Sequence, residues 1–289
     1  MTQSQRANLS TVEWGIPEAS HTGLLVHGLT GRAEAFEVLV ERLDPANGIP
    51  DDPWWFIAPD LRGRGASSEI AVGQGGIPEH TQDLLGLMDR EGLEMVVLIG
   101  HSMGAMIGVY LAARYPERVT GLVLIDGGSD VTDEIDALLD PSIERLEGTY
   151  SSREAYLEYL KSQPVFEDRW DEHLERYFGG DVQPGDDGRY HPVVDLQTIR
   201  EDREKMNSFV LSELWPRIQC PTLILLSTVG LAGPKEGFIL PPDDARRMEN
   251  TIPYSSLVEV EDTNHYDILY SAPPSTVKTI RNFLATLQT

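Results

Sequence analysis

The sequence predicts an α/β protein: a mostly parallel, twisted sheet with helices on both faces and a helical lid inserted into the chain. Three observations predict this. Uniformly apolar runs rich in β-branched residues alternate with stretches of helical periodicity, which is how strands buried on both faces of a parallel sheet read. One such run, Met95 to Ile99, opens through Gly100-His101-Ser102-Met103-Gly104 into a helical pattern, a strand-to-helix turn of the kind that holds a serine above a sheet. From Ser129 to about Trp215 the alternation stops, and charged and aromatic residues replace the buried runs.

Leu9 to Gly15 reads as a short edge strand and Gly23 to His27 (GLLVH) as a buried one. Arg32 to Leu43 places Phe36, Leu39, Val40 and Leu43 at helical spacing. Trp55 to Pro59 is the next strand and ends in Asp60; Pro78 to Glu91 is a helix with Leu84, Leu85 and Met88 turned inward. Ala105 to Tyr115 is the helix after the serine turn, stopped by Pro116. Val119 to Ile125 is a buried strand ending in Asp126-Gly127-Gly128. In the lid, Ser151-Ser152-Arg153-Glu154 reads as a capping box opening a helix through Leu160. Glu167 to Phe178 and Asp195 to Met206 are two further helices, with turn-rich Gln183 to Pro192 between them. Pro221 to Ser227 and Ser256 to Val260 resume the sheet, and Pro274 to Leu287 is the closing helix. Residues 1–128 and 216–289 are thus expected to form the core, and 129–215 the lid.

The 289 residues, 40% of them hydrophobic, suffice for one such domain with its insertion. The single cysteine, Cys220, excludes an internal disulfide framework, and its place at the head of an apolar run reads as a buried structural thiol. With 47 acidic against 23 basic residues the net charge is −24, which argues against nucleic acid and anionic membranes as partners. The same charge would tolerate a cationic small molecule, or serve solubility alone. Met1 to Ser10 is polar with no apolar core of a signal peptide, and no apolar run approaches the ~20 residues of a membrane span. A soluble cytoplasmic monomer or homodimer with a small-molecule partner is expected.

Serine hydrolysis needs a nucleophile, a base, a group orienting the base, and an oxyanion hole. Ser102 is the candidate nucleophile. His265, in the polar loop Asp262-Thr263-Asn264-His265-Tyr266 between the last strand and the last helix, is the candidate base. His27 and His101 stand at strand ends and are read as shaping the site. The backbone N–H groups of Met103 and Leu29 are the candidate oxyanion donors. The acid is open between Asp126, at a strand tip where it is held rigidly, and carboxylates beyond residue 227 such as Glu236. Leu61-Arg62-Gly63-Arg64-Gly65 lacks the Lys-Ser/Thr of a phosphate loop and reads as a structural turn. No Cys/His/Asp cluster has metal-ligand spacing, so no metal is expected. Trp170 and Tyr177, with Tyr156, Tyr159 and Phe178, read either as an aromatic wall over the substrate or as packing of the lid on the core.

HGLTG after a buried strand, APDLRGRGAS after the next, GHSMGA at the turn, PERVTGLVLIDGG, and DTNHYDIL near the end together resemble the α/β-hydrolase superfamily, in particular its serine esterases and lactonases. The resemblance covers roughly residues 9–128 and 216–289 and leaves out the lid. It implies acyl-enzyme hydrolysis without a cofactor, with Ser102 as nucleophile, His265 as base, and Leu29 and Met103 as oxyanion donors. Most members carry the acid after the strand equivalent to Pro221–Ser227, where this chain has none; some similar lactone and ester hydrolases use the preceding strand tip, here Asp126. Haloalkane dehalogenases and epoxide hydrolases of this fold use an aspartate where this chain has Ser102. Esterases that open macrolide antibiotics are similar in fold, and a cationic macrolactone would suit the acidic chain. The same triad also serves C–C and amide hydrolases, and non-catalytic receptors share the fold.

Overall fold

The computed structural model describes residues 8–17, 19–44, 52–69 and 74–287; residues 1–7 of the polar N-terminal stretch lie outside them. The main sheet contains β1 (Thr11–Gly15), β2 (His21–Val26), β3 (Trp54–Pro59), β4 (Val96–His101), β5 (Val119–Ile125), β8 (Thr222–Ser227) and β9 (Ser255–Val260). Its spatial order is β1-β3-β2-β4-β5-β8-β9. Only β1 runs antiparallel to its neighbour. The expected mostly parallel sheet is therefore present, and the uniformly apolar runs are its inner strands: β3, β4 and β8 are buried at every position. Edge strands β1 and β9 are only part-buried.

Alternate residues of one strand feed two cores. Leu98, Leu122, Leu124 and Ile224 face a cluster with α2 (Ile77–Arg90), α3 (Met103–Arg114) and α9 (Pro242–Thr251). Val97, Ile99, Val123 and Leu225 face the other, with α1 (Glu37–Leu43), α10 (Asp267–Tyr270) and α11 (Pro274–Thr286). This is the period-two geometry of a strand carried through a sheet covered on both sides.

Between β5 and β8 the chain adds nothing to the main sheet. It forms α4 (Asp133–Ala137), α5 (Asp140–Glu147), α6 (Arg153–Lys161), α7 (Glu172–Gly179) and α8 (Leu196–Asn207), with a small antiparallel hairpin of β6 (Val182–Pro184) and β7 (Tyr190–Pro192). We term this stretch the cap. Three local expectations are corrected here. The N-cap of α6 is Ser152, not Ser151, accepting from Ala155 N–H at 3.1 Å. Helix α7 starts at Glu172 rather than Glu167, because Asp171 takes the N-cap, accepting from His173 and Leu174 N–H, and Asp168 is left-handed at φ 56°. The turn-rich 183–192 stretch contributes to the hairpin, whose strands are too short and exposed for an alternating pattern to register. No helix of the described residues is long and apolar enough to cross a membrane.

Candidate active site

Strand β4 delivers Ser102 onto a turn with φ 56° and ψ −121°. That left-handed backbone costs a residue with a β-carbon about 1–3 kcal/mol. Packing enforces it. A β-carbon on Gly104 would lie 1.9 Å from the Val26 carbonyl oxygen, and one on Gly100 would lie 2.3 Å from the Gly104 carbonyl oxygen. Strand and helix therefore approach more closely than any side chain allows, and Ser102 is left at the apex. Its own N–H donates to the Ile125 carbonyl at 3.1 Å, and its carbonyl accepts from Ala105 and Met106 N–H. The hydroxyl sits at the start of α3, whose dipole favours negative charge there.

Asp126 directly follows β5 and is wholly buried. One carboxylate oxygen, Oδ2, accepts from His265 Nδ1 at 2.7 Å; the other, Oδ1, accepts from Ser227 N–H at 3.0 Å and from the Ser227 hydroxyl at 2.8 Å. Burial pushes the Asp126 carboxyl up, but the His265 ring and the two Ser227 donors outweigh it and hold the carboxyl below its ordinary range. Of the two positions open for the acid, the one that meets His265 is Asp126; Glu236 is exposed. With Nδ1–H committed to Asp126, the neutral His265 ring keeps Nε2 as its basic nitrogen.

The loop that carries His265 is fixed from several sides. Asn264 Oδ1 accepts from Tyr266 and Asp267 N–H, and Arg169 of the cap pairs with Asp262 and Asp267. His101 Nε2 donates to the His265 carbonyl at 2.9 Å, with the two rings 4.5 Å apart. Burial, and next the neighbouring His265, push His101 down to about 3. It is a neutral brace at ordinary pH rather than a rival base.

The turn after β2 is braced in the same manner. His27 Nδ1 donates to the Gly28 carbonyl at 2.8 Å while Nε2 accepts from Leu61 N–H at 3.0 Å. The two contacts define one tautomer, and burial lowers His27 to about 3. Arg64 Nε donates to the Leu29 carbonyl at 3.0 Å, and Arg64 also pairs with Asp202 of α8 at 2.6 Å. Among the described residues, Leu29 and Met103 N–H donate to no protein acceptor. Both residues border the space around Ser102 or open α3 beside it.

Ser102, His265, Gly28, Leu29 and Tyr270 line one small cavity of about 30 Å³. Across Leu138, Ser142, Leu231 and Tyr266 it abuts a larger cavity of about 340 Å³ under α5 and α6, walled by Leu160, Val165, Phe166, Phe178 and Arg145. A third space of about 30 Å³ leaves Ser102 towards Met106, Val131, Ile135 and Met206. Neither Trp170 nor Tyr177 borders any of the three. Trp170 precedes the N-cap of α7 and stacks behind Phe178; Tyr177 is buried against Tyr270 and under Arg32. For these two the packing alternative describes their surroundings, and the cap aromatics that reach the large cavity are Tyr159, Phe166 and Phe178. Reading the residues alone misses Ser227 and Arg145. Ser227 carries a faint signal, a hydroxyl closing an otherwise apolar strand; Arg145 looks like any solvated helix charge.

The fold is that of a known class: the profile of the alpha/beta hydrolase fold family matches residues 24–272, and the chain belongs to that family. Among curated proteins it is 33% identical over 162 residues to lipase LipV of Mycobacterium tuberculosis, covering 52% of this chain and 56% of that one. It is 31% identical over 138 residues to 2-(acetamidomethylene)succinate hydrolase of Mesorhizobium japonicum, covering 47% of each. The chain thus spans about half the length of these relatives. Over a longer span, 86% of this chain and 82% of the other, it is 26% identical to a 2-hydroxy-6-oxononadienedioate/2-hydroxy-6-oxononatrienedioate hydrolase of Pseudomonas putida. A thermophilic esterase from Thermogutta terrifontis superposes with a TM-score of 0.71 at 23% identity, covering 97% of this chain and 95% of that one, a likeness of fold.

Proposed function

We propose that the protein is a serine hydrolase cleaving a carboxylic ester or lactone through an acyl-enzyme. The observation that carries this is the buried 2.7 Å bond from His265 to Asp126 beside a serine on a strained turn. In this reading His265 Nε2 takes the proton of Ser102 as Oγ attacks the carbonyl carbon. Leu29 and Met103 N–H donate to the oxyanion, and Asp126 holds the ring and balances the imidazolium. His265 returns the proton to the leaving alcohol, then activates a water that releases the acid and frees Ser102. No cofactor enters this scheme, and its partner is a small molecule rather than a nucleic acid or membrane.

A small space beside the serine, and a large one reached through the cavity around it, suit an ester with a compact group on one side of the carbonyl and a bulky group on the other. Among the described residues no carboxylate borders the large cavity to receive an amino sugar, so the cationic macrolactone is supported only by the overall acidity of the chain. The Pseudomonas relative, matched over most of its length, keeps C–C cleavage as the second reading.

The test is to incubate the protein, with Ser102→Ala as control, with aryl esters, small lactones, a cationic macrolactone and a vinylogous diketone. Mass spectrometry would follow the addition of water. Ester or lactone opening that disappears in the variant is expected. Turnover of the diketone alone would move the assignment to C–C hydrolysis, and binding of these compounds without turnover would point to a receptor.

A further inference from the structure

Resting on the hydrolase reading, we infer that the large cavity is a subsite for an anionic group, and that the substrate carries a carboxylate remote from the bond cleaved. The residue that recognises it is Arg145 of α5. Arg145 is 4% exposed yet borders the cavity. Its Nη1 donates to Asp181 Oδ2 at 2.6 Å and to the Tyr156 hydroxyl, which itself donates to Asp181 at 2.8 Å. Among the described residues its Nε and Nη2 have no hydrogen-bond partner, and neither is sealed from solvent. A guanidinium anchored on one edge, with the other nitrogens open, offers the planar fork that pairs with a carboxylate.

The local charge agrees. Asp181 is shared between two arginines, since Arg32 Nε reaches its other oxygen at 3.2 Å. Arg32 also pairs with Glu34 at 2.7 Å, through an oxygen buried from solvent. Among the described residues Asp181 is the ion-pair partner of Arg145, and Arg145 shares it with Arg32. Among the described residues no aspartate or glutamate borders the cavity to pair with the free nitrogens of Arg145. A carboxylate in the cavity would pair with them. The Ser142 and Tyr266 hydroxyls, 2.9 Å apart, stand where this cavity meets the one around Ser102. They offer polar contacts between the anchored anion and the reacting carbonyl. The apolar walls from Leu160, Val165 and Phe166 suit a hydrocarbon segment joining the two.

The experiment compares two esters of equal size, monomethyl adipate and methyl adipamate, which differ in carboxylate against neutral amide. Their binding to the Ser102→Ala protein is measured by calorimetry. The carboxylate is expected to bind about tenfold more tightly or better. Arg145→Met should bring the ratio to about 1, and Arg145→Lys should restore part of it. Equal affinity for the pair in the otherwise unsubstituted pocket overturns the subsite, and that comparison decides the matter even if Arg145→Met fails to fold. The hydrolase reading is judged separately by turnover of a neutral aryl ester by the native protein. Turnover without carboxylate preference removes the subsite and leaves the hydrolase; carboxylate preference with no ester turnover removes the hydrolase and leaves the subsite.

Discussion

Replacing Asp126 by asparagine tests the proposed triad most sharply, because Ser227 dictates how the new amide would sit. Asp126 Oδ1 accepts two hydrogen bonds, from the N–H and the hydroxyl of Ser227. The oxygen of the substituted amide would occupy that position, since an NH2 group there would face the Ser227 N–H. The NH2 would then take the place of Oδ2, 2.7 Å from His265 Nδ1. Two donors cannot share that gap, so the ring would turn to the tautomer with its proton on Nε2. That tautomer cannot take the Ser102 proton. The imidazolium formed in the transition state would also lose a buried counter-charge. Together these correspond to a fall in kcat of about 10³–10⁴-fold, or about 4–5.5 kcal/mol of transition-state stabilisation, as in triads of the same layout. The amide keeps both Ser227 bonds, so the fold should persist. The assay is steady-state hydrolysis of a 4-nitrophenyl ester, with circular dichroism and thermal melting to establish folding, and Glu236→Gln as the exposed comparison, expected within about twofold of the native rate. A folded Asp126→Asn protein within tenfold of native kcat would refute the reasoning, as would a large loss in Glu236→Gln.

His27 and His101 are both held near 3 in the folded protein by burial, against about 6.5 when unfolded. As pH falls below about 6.5 the unfolded chain takes up protons that the folded one does not, so each ring lowers stability by about 1.4 kcal/mol per pH unit down to about 3. Urea denaturation between pH 7 and 5 should show that slope, shallower in His101→Gln; a flat profile would contradict the neutral assignment. Ser102→Gly should abolish turnover while raising stability by about 1 kcal/mol, seen as a higher Tm, because glycine tolerates the φ of 56°; an unchanged Tm would mean the turn is unstrained. Gly104→Ala should destabilise by about 3 kcal/mol or more, since its β-carbon meets a backbone oxygen that cannot move aside; an active variant of native Tm would show that strand and helix can separate. Cys220 is buried with its thiol pushed up to about 11, so iodoacetamide at pH 8 should label it only on unfolding, and rapid labelling of the native protein would contradict its burial.

What the sequence determines by itself is local. The inner strands declare themselves because burial on both faces leaves no position for a polar residue, as in TLILLS of β8. Ser102 is legible because its turn needs glycines at fixed offsets between a strand and a helix, all within a dozen residues. Helix α9 is not legible in the same way: PDDARRMENT buries only Ala245 and Met248 and shows too narrow an apolar stripe. The start of α7 turns on which of several polar residues caps it, a choice made by tertiary packing around Trp170 and Phe178. The carboxylate that meets His265 lies 139 residues away in the chain. Asp126 stands at a strand tip, whereas Glu236 lies nine residues past the end of β8; only the fold sets Asp126 against Ser227 and His265. The charge of Arg145 is likewise unreadable alone, because whether an arginine on a short helix meets water, a shared aspartate or a cavity depends on chain segments far from it. Periodicity and turn chemistry record what a residue needs from its immediate neighbours, whereas the partner of a buried charge is supplied by the fold.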